Sequence, residues 1–210
     1  MVRAVLFDWD GTLADTAEAS YRCYVRMFAE FEIPFDRDTY ARTYSPNWHL
    51  TFQALGLPEE KWPHADERWL AHFATEPTGL FEGVREVLAS LVARGLLTGI
   101  VTSGGRERVQ RELELHGVAD HLHECVYGCD VKRKKPHPEG LLLALERLRI
   151  RADEAVFVGD SPEDIAMAKA AGVWSVAVSG GYPNRDALLA ARPDAFTESI
   201  REILGVLDGR

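Results

Sequence analysis

Cysteine is scarce in this chain, three among 210 residues, and an odd count in a protein of this size argues against a disulfide framework. No apolar run approaches the roughly 20 residues that a bilayer-spanning helix needs. The first residues also lack a basic stretch followed by an apolar one, so no signal segment is expected. Positive charge is in the minority, with 24 Lys and Arg against 33 Asp and Glu, for a formal net charge of −9. Nucleic acids and anionic membranes both require clustered positive charge, so neither is an expected partner. Internal repeats and low-complexity segments are absent too. The remaining composition, 46% hydrophobic and 27% charged, is that of a globular protein. At this length it makes one large domain or a core with an insertion. The expectation is a soluble cytoplasmic protein, monomer or homodimer.

Hydrophobic periodicity alternates along most of the chain. "RAVLFDW", "LTGIVT", "HECVYG", "EAVFVG" and "WSVAVSGG" read as short strands. "SYRCYVRMFAEF", "GVREVLASLVARG", "RERVQRELELHG", "HPEGLLLALERLRI", "SPEDIAMAKAAG" and the tail from "TESIREILGVL" read as helices. Apolar strands alternating with helices predict an α/β fold, a mostly parallel sheet in a three-layer sandwich. Right-handed crossovers place every strand-to-helix loop on one edge of such a sheet, where ligands bind.

From Thr16 to Gly79 the alternation stops, and only helical stretches and proline-bearing loops remain. This predicts a helical domain, 16–79, inserted into a core made of 1–15 and 80–210. It rejoins the core through "TEPTGLFEG", read as a flexible connection on Pro77, Gly79 and Gly83. Its aromatic stripe of Trp62, Trp69 and Phe73 is read as the insert's own small core.

Two strands end in paired acids. "AVLFDWDGTLADT" gives Asp8 and Asp10, and "AVFVGDSPEDI" gives Asp160 and Asp164. Each segment has a plain structural reading: "DTAE" as a capping box with Asp15 as N-cap, and Ser161-Pro162 as a helix start. A calcium loop fails, because its template wants Gly where Leu13 stands and Glu where Ala19 stands. Two acid pairs opening on one sheet edge are harder to explain structurally. They would raise each other's pKa values unless a cation sat among them, and a hard, oxygen-preferring ion such as Mg²⁺ suits such a set. "GIVTSGG" adds the hydroxyls of Thr102 and Ser103 and amides beside Gly104 that can hold phosphate oxygens at a helix start. "KRKKPHPE" adds a lysine before Pro136, Lys135 with Lys134 adjacent, to face the acids and steer an anionic substrate.

In this order, "FDWDGTLADT", "IVTSGG", "KKP" and "VGDSPEDI" resemble the haloacid dehalogenase-like hydrolase superfamily, and within it the phosphoglycolate phosphatase-like subgroup. The resemblance spans almost the whole chain. It implies a Rossmann-like core with a helical cap, and a Mg²⁺-dependent phosphatase acting on a small phosphorylated metabolite. Asp8 would be the nucleophile and Asp10 the acid/base. Thr102 and Lys135, with Ser103 and Gly104, would hold the phosphoryl group. Asp8, Asp160 and the main-chain carbonyl of Asp10 would bind Mg²⁺, with Asp164 in support. Pyrophosphatases and sugar phosphomutases of the β-phosphoglucomutase type are the alternatives on the same scaffold. The mutases resemble this chain through "DTAE" but carry His where it has Ser20 and usually Val where it has Thr12. Phosphonate-cleaving relatives need a cap lysine, for which Lys61 is poorly placed. A catalytically idle binding module is opposed by the intact acid set.

Two other signals are discounted. His116, His121, His123, Cys125 and Cys129 suggest zinc but lack paired short spacing and straddle a helix end and a strand. Asn47, Trp48 and His49 lie in an insert loop that could touch a leaving group.

Overall fold

Every side chain of the run Ala4–Phe7 is buried, which only a strand covered on both faces can achieve. In the computed structural model, which describes residues 1–45 and 47–209, this run is β1, near the middle of a six-stranded parallel sheet. The others are β4 (Leu97–Val101), β5 (Glu124–Val126), β6 (Ala155–Gly159), β7 (Trp174–Val178) and β8 (Ala195–Thr197), in spatial order β5-β4-β1-β6-β7-β8. Alternation in β1 divides the core. Val5 and Phe7 face a layer containing α5 (Val84–Ala93), α6 (Arg106–Leu115) and α10 (Ile203–Asp208). Ala4 and Leu6 face α7 (Glu139–Leu148) and α8 (Pro162–Ala170). The expected three-layer arrangement follows from this period-two pattern.

The chain leaves β1, builds outward through β4 and β5, then returns to place β6 on β1's other side. The reversal falls between β1 and β6, where Phe7 pairs with Val158. A strand order that reverses opens a crevice at the carboxyl ends of the two strands. Asp8 follows β1 and Asp160 follows β6, so the topology delivers one acid to each lip.

The insert consists of α1 (Ala17–Glu30), α2 (Arg37–Thr43), α3 (Trp48–Ala54) and α4 (Trp62–Phe73). It packs around Tyr24, Met27, Phe28, Tyr40 and Phe52. Three local expectations are corrected. Asp15 does not cap α1. It lies in β2 (Ala14–Asp15), and the N-cap position is Thr16, whose hydroxyl pairs with the Tyr182 hydroxyl at 3.1 Å. The connection back to the core is not loose chain, because Gly79–Leu80 forms β3, antiparallel to β2. Neither two-residue strand is long enough to show a periodic signal. The tail is not one helix from Thr197: "AFT" is the edge strand β8, and a short α9 (Arg185–Ala190) precedes it. Among the described residues no helix is long and apolar enough to cross a membrane.

Candidate active site

The turn after β1 is forced by Gly11, at φ 84°. A Cβ there would overlap the Asp160 carboxylate, so the turn needs glycine for its conformation and for the close approach. The amides of Leu13 and Ala14 close the turn onto the Trp9 carbonyl at 3.0 and 2.9 Å. Its Thr12 hydroxyl donates to Asp160 Oδ1 at 3.1 Å, and the Asn184 amide donates to the Asp160 carbonyl at 3.0 Å. The Asp8 amide donates to Val158 at 2.9 Å, continuing the β1–β6 ladder.

Asp164 satisfies both readings of its segment. It is the N3 member of a capping box with Ser161, accepting from the Ser161 hydroxyl at 2.7 Å and amide at 3.1 Å. Its other oxygen lies 2.6 Å from Lys135 Nζ, which also donates to Asp8 Oδ1 at 2.5 Å. Lys135, not Lys134, therefore bridges the acids. Lys134 Nζ lies 5.9 Å from the centroid of the Trp48 ring.

Asp8, Asp160 and Asp164 are 8%, 3% and 1% exposed, and one oxygen from each lies within 4.8 Å of the others. Burial, opposed by Lys135 and reinforced by Asp164, pushes the Asp8 carboxyl up to about 7. Burial, with Asp8 and Asp164, holds Asp160 well above the ordinary carboxylate range. Burial also opposes the Lys135 charge, but Asp164 and Asp8 outweigh it and hold the ammonium above its usual value. Three buried carboxylates against one ammonium leave an uncompensated negative site. A divalent cation of the oxygen-preferring kind fits such a donor set.

Asp10 turns the other way. Arg108 of α6 grips its carboxylate with both terminal nitrogens, at 2.9 and 2.5 Å. Arg108 is held in turn by Glu112 at 3.0 and 3.2 Å, and Glu112 accepts from the Trp9 indole at 2.7 Å. The Arg108 guanidinium also stacks 5.0 Å from the centroid of Phe73, a residue of the insert. Sequence reasoning missed this chain, because Arg108 and Glu112 read as an ordinary i,i+4 surface pair. Asn184 was missed likewise, and Thr12 was noted only as a position where the mutases usually carry Val; an acid already placed beside them gives both their meaning.

Thr102 follows β4, buried, and its hydroxyl accepts from the Gly104 amide at 2.9 Å. With Ser103 and Gly104 it lines a cavity of about 630 Å³ that also reaches Asp8, Asp10, Lys135 and Asp160. The insert closes the far side. Trp69 and Phe73 line this cavity, which corrects their reading as core alone, whereas Trp62 is bonded to the Leu57 carbonyl inside the insert. Asn47, Trp48 and His49 line it as well, the latter two anchored on Asp66 at 2.7 and 3.1 Å. Lys61 lies elsewhere, over Phe31.

The histidines and cysteines discounted for zinc are not brought together among the described residues. His123 accepts from the Thr98 amide at 3.1 Å beside β4, Cys125 sits on β5, and His116 ends α6.

A family model for haloacid dehalogenase-like hydrolases matches residues 5–178. A phosphoglycolate phosphatase of Escherichia coli K12 is 32% identical, the alignment covering 98% of this chain and 92% of that protein. A Caldanaerobacter subterraneus protein named "Putative pyrophosphatase PpaX" is 33% identical over 99% of this chain and 96% of its own. The crystal structure of a "putative phosphoglycolate phosphatase" from Lactobacillus plantarum superposes with a TM-score of 0.88 at 26% identity, covering 98% of this chain and 99% of that one. Strand order, acid placement and these similarities agree: the chain belongs to the haloacid dehalogenase-like hydrolase family.

Proposed function

We propose that this protein is a Mg²⁺-dependent phosphatase that hydrolyses a small phosphomonoester through a phosphoaspartate on Asp8. The observation that carries the reading is Lys135 bridging Asp8 and Asp164 beside Asp160, with Asp10 two residues along the same turn. An Asp8 oxygen attacks phosphorus and the ester P–O bond breaks. Asp10, released from Arg108, would give a proton to the departing oxygen, then take one from the water that attacks the phosphoaspartate. That attack breaks the bond to Asp8 and frees inorganic phosphate. Thr102, Ser103, Gly104 and Lys135 hold the phosphoryl oxygens, and Lys135 offsets their charge. Asp8, Asp160 and the Asp10 carbonyl would hold Mg²⁺, which supplies further charge compensation at the phosphoryl group. Asp164 holds Lys135 in place. Residues 16–79 would act as a cap over the substrate.

Phosphate release from p-nitrophenyl phosphate in Mg²⁺, its loss in EDTA, and its abolition in Asp8→Asn are the expected results, since a neutral amide cannot attack phosphorus. A well-folded Asp8→Asn protein that kept a tenth of wild-type kcat would remove Asp8 as nucleophile. Ser20, buried where the mutases have histidine, lines the cavity and favours hydrolysis over phosphoryl return. Glucose 6-phosphate formed from β-glucose 1-phosphate faster than free phosphate, followed by ³¹P NMR, would replace the phosphatase by a mutase.

A further inference from the structure

Arg108, Lys134 and Lys135 are the cations that line the cavity, and all of them belong to the core; none of the insert's described lining residues is Lys or Arg. Two of them are spent on carboxylates. Lys135 bridges Asp8 and Asp164, and Arg108 is shared between Asp10 and Glu112. Lys134 forms no ion pair among the described residues. Its Nζ lies instead 5.9 Å from the centroid of the insert's Trp48 ring.

Both partners of this contact are fixed at their bases. Glu139, in the first turn of α7, accepts from the amides of Lys132 and Arg133 at 2.9 and 3.3 Å, and the Lys134 carbonyl accepts from the His137 amide at 3.0 Å. The backbone is thus tied on either side of Lys134, and the freedom lies in its side chain. Trp48 donates its indole N–H to Asp66 at 2.7 Å, and His49 takes the other oxygen of that carboxylate at 3.1 Å. Asp66 is therefore occupied, and the ring is a fixed surface for the lysine arm. An ammonium on a cavity wall, in a chain of net charge −9, with no acid at ion-pair distance, has an electrostatic vacancy that an anion can fill. The phosphoryl end of a substrate belongs beside Thr102, Ser103 and Lys135, so the leaving group points toward the insert, where Lys134 and Trp48 meet.

We propose, resting on the phosphomonoester reading above, that Lys134 is a specificity-determining residue. It takes a second negative group, a carboxylate or a phosphate, carried by the leaving group. Trp48 confines the lysine arm over that group, so the insert shapes a site whose charge comes from the core. The adjacent lysines divide the work: Lys135 holds the phosphoryl group, and Lys134 reads the charge on what departs. A charge-assisted hydrogen bond of this kind is stronger than the neutral one that a hydroxyl would make in its place.

The test keeps one two-carbon frame and varies its far end: ethylene glycol monophosphate carries a hydroxyl, phosphoglycolate a carboxylate, and ethylene glycol bisphosphate a second phosphate. Glycerol 3-phosphate and 3-phosphoglycerate repeat the hydroxyl and carboxylate comparison on three carbons, and p-nitrophenyl phosphate reports the chemistry. In Mg²⁺, at least one anionic ester should exceed the hydroxyl ester of its frame in kcat/KM by about tenfold or more. Whether the carboxylate or the second phosphate leads says which anion Lys134 takes. In Lys134→Gln that ratio should fall to about threefold or less, through KM rather than kcat, and Lys134→Arg, which keeps the charge, should restore most of it. Calorimetric titration of the same esters into Asp8→Asn protein should rank them in the same order without turnover. A smaller ratio in the wild type, or one that survives Lys134→Gln, overturns the inference and leaves the phosphatase reading standing. Phosphate released from none of the esters, p-nitrophenyl phosphate included, defeats the phosphatase reading and the inference with it.

Discussion

Asp10 is held by a helix outside the acid cluster, and that separates its chemistry from that of Asp8. The bidentate grip of Arg108 fixes the carboxylate, and the second anchor, Glu112, keeps Arg108 from following a substrate. Bidentate geometry of this kind is both strong and directional. With both oxygens accepting from Arg108, Asp10 must leave this grip before it hands a proton to the leaving oxygen, so Arg108→Gln should act most on substrates that need that proton. General acid catalysis contributes typically about 10²–10⁴-fold. Freeing Asp10 should raise kcat/KM for an alkyl phosphomonoester, relative to p-nitrophenyl phosphate whose leaving group departs unaided, by about threefold or more. Equal losses on the two substrates would show that Arg108 serves only the local structure.

The helices of the insert are tied to each other by charges as well as by their aromatic core. Glu30 at the end of α1 accepts from Arg68 at 2.6 and 3.0 Å and from His72 at 2.7 Å, both on α4. Those hydrogen bonds, Arg68 first and then His72, lower the Glu30 carboxyl to about 2. An acid whose folded pKa lies below its unfolded one stabilises the fold above the unfolded value, about 4.5, and loses that effect as the pH falls toward 2. Glu30→Gln should thus lower Tm at pH 7, with the gap to wild type closing below about pH 4.5. Solvent reaches these groups, so the gap should also shrink in high salt. Melting curves in which the gap persists at pH 3 would assign the loss to packing.

At the scale of the whole molecule, a net charge of −9 surrounds a crevice where two strand ends and the start of α8 bring together three buried carboxylates. Any cation that binds them stabilises the folded chain by mass action, about 2.7 kcal/mol at one hundred times Kd. For a protein of this length that is worth about 5–10 °C in Tm. Mg²⁺ should therefore raise the melting temperature of the wild type and leave that of Asp160→Asn nearly unchanged. This readout is independent of turnover. A wild-type Tm indifferent to millimolar Mg²⁺ would remove the ion from the site.

Apolar strands of four or five residues, each followed by its acid or hydroxyl, were legible along the chain because β1, β4 and β6 are buried on both faces and cannot be patterned otherwise. The helix start at Ser161-Pro162 and the helices with terminal glycine were legible from local signals as well, whereas the capping box read at Asp15 was not there. Weak local signals failed: β2 and β3 span two residues each, too short for any period to register, and the edge strand β8 went unread although β5, equally short, was read. What only the tertiary structure decided is which side chains meet. Lys135 rather than Lys134 reaches Asp8 across 127 positions, and Arg108 reaches Asp10 across 98. Trp69 and Phe73 have the helical spacing of core residues, yet they also line the cavity, because the wall they belong to exists only once the insert lies over the core. Periodicity reports how a segment is buried; it carries no information about what lies opposite, which depends on strand order and on the docking of one folded part against another.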